Sequence, residues 1–214
     1  MAAPAQLSAN SRVERGMEAV AALERDAQLM LRVREGDDTS FALLLERHRG
    51  PVVNFLHRMV QNRAVSEELA QEVFLRIYRS RGTYEPTAKF TTWLFRIATH
   101  LALNAIRDGR KSKGHESLDR EVRDGVVLEG LARHVTDRQP NAEQELIRAG
   151  KVQEIRQAIQ ALPDKQRAAV LMHKYQGLDY TQIAGALRCS ESAVKSLLFR
   201  AYETLRARLA HVRL

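Results

Sequence analysis

Side chains suited to nucleic-acid contact recur along one stretch of the sequence, between positions 93 and 107. At 100° per residue they fall within an arc of roughly 80° on one helical face. They are Trp93, Arg96, His100, Asn104 and Arg107. An indole ring stacks on an unstacked base, guanidinium groups bind phosphates, and imidazole and amide groups hydrogen-bond base edges. The pattern is equally typical of a half-buried tryptophan beside solubilising arginines, so this helix alone leaves both interpretations open.

A second polar face is predicted near the C-terminal end of the chain. It carries Ser192, Lys195, Ser196, Phe199 and Glu203. The opposite arc of the same helix is apolar and comprises Val194, Leu197, Leu198, Ala201 and Leu205. Short hydroxyl side chains approach phosphates and base edges closely, and lysine supplies positive charge. The polar face therefore suits the major groove of DNA.

The element that must position this second face is a helix-turn-helix, predicted over residues 179–206. Asp179 and Gln182 have the spacing of a capping box, which indicates the start of a short first helix. Ser190 is placed to cap the second helix. Residues 163–214 carry nine Lys or Arg against four Asp or Glu, so positive charge concentrates around the polar face. This combination favours a DNA-binding module.

Whole-chain composition narrows the partner class. The 214 residues are 44% hydrophobic and 6% aromatic, which suits two small helical domains. The formal net charge of +8 makes a polyanion the natural partner, either nucleic acid or an anionic membrane. No apolar run approaches the roughly 18 residues that span a bilayer, and the N-terminus lacks the apolar core of a signal peptide. We therefore predict a cytoplasmic location.

No residue set predicts catalysis or a bound metal. The sequence lacks the phosphate-binding pattern GxxxxGK(S/T), the dinucleotide-binding pattern GxGxxG and the metal-binding pattern HExxH. Its seven histidines are scattered, and its single cysteine, Cys189, excludes a disulfide framework or a multi-cysteine zinc site. Cys189 falls in the turn of the predicted helix-turn-helix, and this position favours a packing role for its side chain. We expect no catalytic residue, no metal and no cofactor.

The N-terminal part of the chain is predicted to form several short helices. One begins at Asp26, and the next is capped by Thr39 or Ser40. The helix capped by Thr39 or Ser40 stops near Pro51, because proline disfavours helical backbone in the residue before it. Pro51 then begins a third helix. Ser66 opens a fourth.

The helix predicted from Ser66 has two distinct faces. The apolar face comprises Leu69, Ala70, Val73, Phe74 and Ile77. The other face comprises Glu68, Gln71, Glu72, Leu75 and Arg79. From this helix alone, the second face is typical of an ordinary solvated surface.

These segments predict an all-α protein of two small domains joined by a flexible linker. We expect a flexible N-terminal extension over 1–25, a helical domain over 26–108, and a helix-turn-helix domain over 142–214. The glycine content and balanced charges of residues 109–141 predict the linker.

Four segments taken together resemble bacterial extracytoplasmic-function (ECF) sigma factors, group IV of the sigma-70 superfamily. The first domain contributes SEELAQEVFLRIY at 66–78 and FTTWLFRIA at 90–98. The second contributes YTQIA at 180–184 and AVKSLLFRA at 193–201. Their order and separation are similar too, and the resemblance covers both predicted domains but neither the extension nor the linker.

The resemblance implies sigma region 2 in the first domain and sigma region 4 in the second. It implies a transcription initiation factor rather than an enzyme. Such a factor binds core RNA polymerase, directs it to the promoters of a specific regulon, and helps to melt DNA at the −10 element. The implied partners are core polymerase and promoter DNA, with no stable membrane insertion. Family members are commonly held inactive by an anti-sigma factor, although no residue of this chain indicates one.

The same resemblance gives roles to three polar faces. Contact with polymerase is expected from Glu68, Gln71, Glu72 and Leu75. Contact with the −10 element is expected from Lys89, Phe90, Trp93, Arg96, His100, Asn104 and Arg107. Contact with the −35 element is expected from Ser190, Ser192, Lys195, Ser196, Phe199 and Arg200.

The sequence departs from the family pattern at two of these faces. Where relatives often have Gly-Thr-Val-Lys-Ser-Arg, this chain has SAVKSL at 192–197, and Leu197 removes one potential base or phosphate contact. Position 100 is often asparagine in relatives but is His100 here, which changes the hydrogen-bonding groups offered to the −10 element.

Two other functions compete with the sigma factor. A stand-alone transcriptional regulator would use its N-terminal helices to sense or dimerise, and would bind duplex DNA tightly without polymerase. A recombinase-like enzyme would need a nucleophile among arginines, and only Tyr78 and Tyr84 near Arg76, Arg79 and Arg81 approximate that arrangement.

Overall fold

The computed structural model describes residues 25–113 and 142–211, and every regular element in these ranges is a helix. The helices are α1 (25–34), α2 (Asp38–Val60), α3 (Arg63–Arg79), α4 (Phe90–Lys113), α5 (Ala142–Gln160), α6 (Asp164–Tyr175), α7 (Tyr180–Leu187) and α8 (Glu191–Arg208), with a 3-10 turn at Arg81–Thr83. The predicted all-α class is confirmed. The N-terminal extension up to residue 24 and the linker from residue 114 onward lie outside the described residues, and the predicted domain boundaries stay predictions.

The prediction that Pro51 separates two helices is wrong. Helix α2 runs without interruption through Pro51. A proline inside a helix costs about 3 kcal/mol, because it removes one hydrogen bond and crowds the preceding turn. Leu44 and Val52, before and after the proline, are both fully buried in one core. Burial on both sides therefore outweighs the local preference for a break.

The start of α2 also differs from the prediction of a cap at Thr39 or Ser40. Asp37 is the capping residue, and its carboxylate accepts hydrogen bonds from the Thr39 and Ser40 backbone N–H groups at 2.9 and 3.2 Å. The Ser40 hydroxyl donates to the same carboxylate at 2.7 Å. This hydroxyl contact is the main reason why the pKa of Asp37 lies below its ordinary value.

Helix α3 begins three residues before the predicted start at Ser66. Asn62 caps it by accepting a hydrogen bond from the Val65 backbone N–H at 3.1 Å. Ser66 lies inside the first turns, where its hydroxyl donates to the Asn62 carbonyl and is fully buried. The predicted apolar face of α3 does enter the core. Its fully or nearly fully buried members are Ala70, Val73, Phe74 and Ile77.

The helix-turn-helix is present as predicted. Gly177 lies in the turn after α6, and its φ of +64° is in the left-handed region that favours glycine. Asp179 and Gln182 form the predicted capping box at the start of α7. The Ser190 hydroxyl oxygen caps α8 by accepting a hydrogen bond from the Ala193 backbone N–H at 3.2 Å.

The N-terminal helices and the C-terminal helices pack directly against each other. Helix α6 lies against the end of α2, where the Arg58 guanidinium stacks over the Tyr175 ring at 4.2 Å. Helix α7 lies along α4, close enough that a Cβ on Gly185 would meet Thr92 Cγ2 at 3.1 Å. The sequence alone does not predict this contact.

Candidate nucleic-acid interface

Trp93 on α4 packs against two aromatic rings. Its ring centroid lies 5.1 Å from that of Tyr84 and 6.1 Å from that of Phe90. Tyr84 and Phe90 are buried, whereas Trp93 is only half-buried. Tyr84 and Phe90 pack against part of the indole, and the rest of its surface is available for stacking.

Phe90 itself does not agree with the prediction that it contacts DNA. The side chain is fully buried, and its ring also packs against His48 at a centroid distance of 5.3 Å. In this structure Phe90 therefore supports Trp93 and offers no surface of its own.

The other predicted −10 residues on α4 form a continuous polar strip next to Trp93. Arg96 and Asn104 are half-buried, while His100 and Arg107 are exposed. The Asn104 Nδ2 and His100 Nδ1 atoms lie 3.4 Å apart, so these two side chains act as neighbours one helical turn apart. The strip thus combines an aromatic face, two guanidinium groups and two groups able to hydrogen-bond base edges.

The loop before α4 brings Tyr84 under the tryptophan. The Tyr84 carbonyl accepts a hydrogen bond from Arg34 Nη1 at 3.2 Å, which ties the loop to α1. The Tyr84 hydroxyl is buried and has no hydrogen-bond partner among residues 25–113 and 142–211. Burial, and then the charge of Asp26, raise the pKa of this phenol, so it stays neutral. Lys89 at the end of the loop is exposed, and its ammonium lies 3.9 Å from the Asp179 carboxylate.

The predicted −35 face of α8 is open to solvent. All six of its predicted residues are exposed, and Phe199 is 67% exposed. Neither Lys195 nor Arg200 has an ion-pair partner in the part of the chain that the structure describes. The opposite face packs inward through Val194, Leu198 and Ala201. An exposed aromatic beside two unneutralised cations is a surface that an anionic partner would complement.

Leu197 is half-buried and packs against the core of the C-terminal helices. The departure from the family pattern at this position therefore adds packing and no polar group. The six predicted −35 residues lie on the exposed side of the same helix.

The polar face of α3 borders an apolar groove. Glu68 and Gln71 are exposed, Leu75 is 41% exposed, and Glu72 accepts a hydrogen bond from Arg76 Nε at 2.6 Å. The groove between α2 and α3 has a volume of about 570 Å³. Its apolar walls are formed by Phe41, Leu45, Val53, Phe74, Leu75 and Tyr78.

Sequence reasoning missed the α2 wall of this groove. Phe41, Leu45 and Val53 are separated by four and eight residues, so they share one helical face and look like core positions. Leu44 and Val52 form the buried stripe of α2 beside them. The sequence signal for this groove was that one helix carries two apolar stripes, although a single contact with the core needs only one.

The described residues contain no metal centre and no membrane span. In the ranges 25–113 and 142–211, no three His, Cys, Asp or Glu side chains are grouped so that they could hold a metal ion. Within the same ranges, no helix is both long enough and apolar enough to cross a bilayer.

Family comparisons match both halves of the chain. The profile for Sigma-70 region 2 matches residues 44–112, and the profile for Sigma-70, region 4 matches residues 152–205. The chain belongs to the ECF sigma factors of the sigma-70 family. This sigma factor binds core RNA polymerase and directs promoter recognition and transcription initiation. The family is one of transcription initiation factors that act with RNA polymerase.

Curated relatives match over most of their lengths. The RNA polymerase sigma-H factor of Pseudomonas aeruginosa is 31% identical over 184 residues, covering 85% of this chain and 92% of the relative. The RNA polymerase sigma factor CarQ of Myxococcus xanthus is 35% identical over 186 residues, covering 86% and 98%. The ECF sigma factor SigW of Bacillus subtilis is 31% identical over 177 residues, covering 83% and 92%.

Solved structures share the fold at lower identity. CnrH, in complex with the cytosolic domain of CnrY, superposes with a TM-score of 0.63 at 18% identity and covers 88% of this sigma factor and 99% of CnrH. RpoE of Bartonella quintana, in complex with the anti-sigma factor NepR, gives a TM-score of 0.58 at 20% identity, covering 81% and 98%.

Proposed function

We propose that this sigma factor divides promoter recognition between two exposed faces, with α4 at the −10 element and α8 at the −35 element. The observation that supports the proposal is that each family-matched half presents one strip, at least partly exposed to solvent, of side chains that are able to bind bases and phosphates. Those strips centre on Trp93 and Lys195. The protein then acts in the cytoplasm beside polymerase, as an initiation factor with no catalytic activity of its own.

At the −10 element, the α4 strip receives a base that has left the duplex. Extruding a base costs a few kcal/mol, and stacking together with edge hydrogen bonds offsets that cost. The half-buried Trp93, fixed by Tyr84 and Phe90, supplies the stacking surface. His100 and Asn104 supply hydrogen-bonding groups at the next turns. Promoter melting by this factor follows from that pairing of stacking and edge recognition.

At the −35 element, the exposed face of α8 enters the major groove. Ser190 caps the helix, so its N-terminal end is well defined, and Ser192, Lys195 and Ser196 are exposed on that end. This is the docking geometry of a helix-turn-helix recognition helix.

Replacing Lys195 tests this surface. Lys195→Ala is expected to weaken binding of polymerase holoenzyme to a −35-containing promoter and to lower the slope of log K against log [salt] by about one unit, because one phosphate contact is lost. The measurement is a salt titration of promoter binding. Lys165→Ala, which removes an exposed lysine from α6, is the matched control and should change neither. An unchanged salt slope in Lys195→Ala would remove this residue from the interface.

The α3 face is the proposed dock for the clamp of the largest polymerase subunit. Glu68, Gln71 and Glu72 give it polar and acidic character. The adjacent groove gives it an apolar surface that an amphipathic helix of the partner can bury. Leu75 belongs to both the face and the groove, and joins them.

An anti-sigma factor belongs among the proposed partners. RpoE of Bartonella quintana, which shares this fold, was solved with the anti-sigma factor NepR. A partner of that kind would inhibit this chain by covering the surface that polymerase needs.

Co-purification separates this function from a stand-alone regulator. The tagged full-length chain is expected to retain the polymerase subunits when isolated from cells, and to bind promoter duplex weakly without them. Tight, specific duplex binding by the chain alone, with no polymerase retained, would favour the regulator.

A further inference from the structure

Helix α1 lies before the residues that the Sigma-70 region 2 profile matches, and none of the contacts proposed above uses it. The helix spans residues 25–34, whereas the profile begins at residue 44. Its buried apolar residues, which join the core, are Leu29, Met30 and Val33. Two polar side chains near its ends reach further, toward the aromatic rings that pack against Trp93.

Asp26, in the first turn of α1, is almost completely buried. It is 3% exposed, and its Oδ2 atom lies 2.8 Å from Nε2 of His48, which is 7% exposed on α2. A carboxylate only accepts hydrogen bonds, so the imidazole Nε2–H donates. Arg47 pairs with the other carboxylate oxygen. Because a buried carboxylate is unfavourable without such partners, the His48 ring is held in the orientation that faces Asp26.

The His48 ring packs against Phe90, the first residue of α4. The two ring centroids lie 5.3 Å apart, and the ring planes are inclined at 51°. Phe90 in turn packs against Trp93 with a centroid distance of 6.1 Å and an interplanar angle of 71°. Both distances are in the range at which aromatic pairs have preferred relative orientations. A change in the His48 ring would therefore reach the indole through Phe90.

A second link joins α1 to Tyr84, the other ring that packs against Trp93. Arg34, in the last turn of α1, donates from Nη1 to the Tyr84 carbonyl at 3.2 Å. The Tyr84 ring centroid lies 5.1 Å from that of the indole. Burial raises the pKa of the Tyr84 hydroxyl, and the nearby charge of Asp26 adds to this effect. Both rings are therefore tied to α1, one near each end of the helix.

We propose that α1 is a positioning element for the α4 strip at the −10 element, although it does not contact DNA itself. Its first turn sets the orientation of Phe90 through Asp26 and His48, which are positioning residues. Its last turn sets the loop that carries Tyr84. The exposed part of the Trp93 ring is thereby presented at one angle, and a ring that is already held loses less conformational freedom when a base stacks on it.

Replacing His48 by glutamine tests the positioning role on the full-length chain. The amide can keep a hydrogen bond to Asp26, but the ring that packs on Phe90 is lost. Because Trp93 is the single tryptophan of the chain, its near-ultraviolet circular dichroism and its quenching by acrylamide report on the indole directly. His48→Gln should weaken the tryptophan bands and raise the quenching constant, while the helical signal persists. His48→Phe restores a ring against Phe90 and should recover part of the wild-type signal.

The same variant should impair promoter melting by the polymerase holoenzyme. Open-complex formation, followed by permanganate reactivity, is expected to fall by at least about threefold and by less than in Trp93→Ala, because the whole ring contributes about five- to 150-fold. In a Trp93→Ala background, His48→Gln should cause no further loss, since no ring remains to be positioned. A purely structural role would lower melting in both backgrounds. Ile159→Val removes a buried methyl group from α5, which packs against α8, and controls for lost stability.

Arg34→Ala tests the second link and keeps the proposal testable if His48→Gln does not fold. Arg34 is exposed, so its truncation leaves the apolar core intact. The variant should alter the Trp93 signal and reduce melting in the same direction, again only while Trp93 is present. Arg32→Ala removes another exposed arginine from the same helix and is the matched control, so it should change neither measurement.

Two results would overturn the positioning role. One is a wild-type Trp93 signal together with wild-type melting in whichever of His48→Gln and Arg34→Ala folds. The other is a melting defect that persists undiminished in the Trp93→Ala background. The proposal rests on the proposed function, because positioning matters only if Trp93 holds the −10 base. Normal melting by Trp93→Ala itself would therefore count against the proposed function, and the positioning role would fall with it.

Discussion

Glu72→Arg is expected to weaken association of the sigma factor with core polymerase by at least about tenfold. The side chain lies in the middle of the acidic face of α3 and now pairs with Arg76 at 2.6 Å. The substitution would place two cations one turn apart, on a surface that otherwise offers Glu68 and an apolar groove. A clamp surface that complements the negative charge of the wild-type face is itself positive, so the substituted face would repel it. Pull-down of core polymerase, quantified against the wild type, measures the loss.

A charge reversal outside the face is the control. Glu35 is exposed just after α1 and does not line the groove, so Glu35→Arg should leave association unchanged. Both variants should keep the helical circular dichroism of the parent, because exposed helix substitutions change stability by about 0.5 kcal/mol or less. Normal recovery of polymerase by the Glu72 variant would show that α3 is not the docking face.

Trp93→Ala is expected to reduce open-complex formation by roughly five- to 150-fold, because stacking of one base on an aromatic ring contributes about 1–3 kcal/mol. Binding to polymerase and to the −35 duplex should stay near the wild-type value, since α3 and α8 are unaltered. Permanganate reactivity of thymines in the −10 region measures melting directly. Trp93→Phe retains an aromatic surface and should recover part of the activity.

A template with a mismatched −10 region separates melting from other steps. If Trp93 acts by holding the extruded base, a template that is already unpaired should recover part of the transcription lost in Trp93→Ala. The remainder reflects contacts that the ring still makes with single-stranded DNA. Equal defects on paired and mismatched templates would assign Trp93 to a role other than melting.

Local chemistry made the helix-turn-helix predictable from the sequence. Its caps at Asp179 and Ser190 and the terminating Gly177 depend on side-chain oxygens and backbone conformations within a few residues. The exposed face of α8 was predictable for the same reason, since one amphipathic helix carries both its buried and its exposed residues.

Features that depend on tertiary contacts were not predictable in this way. Helix α2 continues through Pro51 because distant helices bury residues on both sides of it. Phe90 lies four residues before Leu94, at the edge of the apolar stripe of α4, and only the resemblance gave it a DNA contact; in the structure His48 and Trp93 pack against it. The contact between the N-terminal and C-terminal helices buries Arg167, whose sequence position suggests an ordinary charged residue on a helix surface.

The central claim is that this chain gives core polymerase a promoter specificity through two separate faces. Run-off transcription from fragmented genomic DNA, with purified core polymerase and the full-length sigma factor, tests it most directly. We predict discrete start sites that share two sequence elements, one near −10 and one near −35. Transcription from these sites should fall strongly with Glu72→Arg, which weakens polymerase association, and should also fall with Lys195→Ala. Start sites no different from those of core polymerase alone would contradict the account.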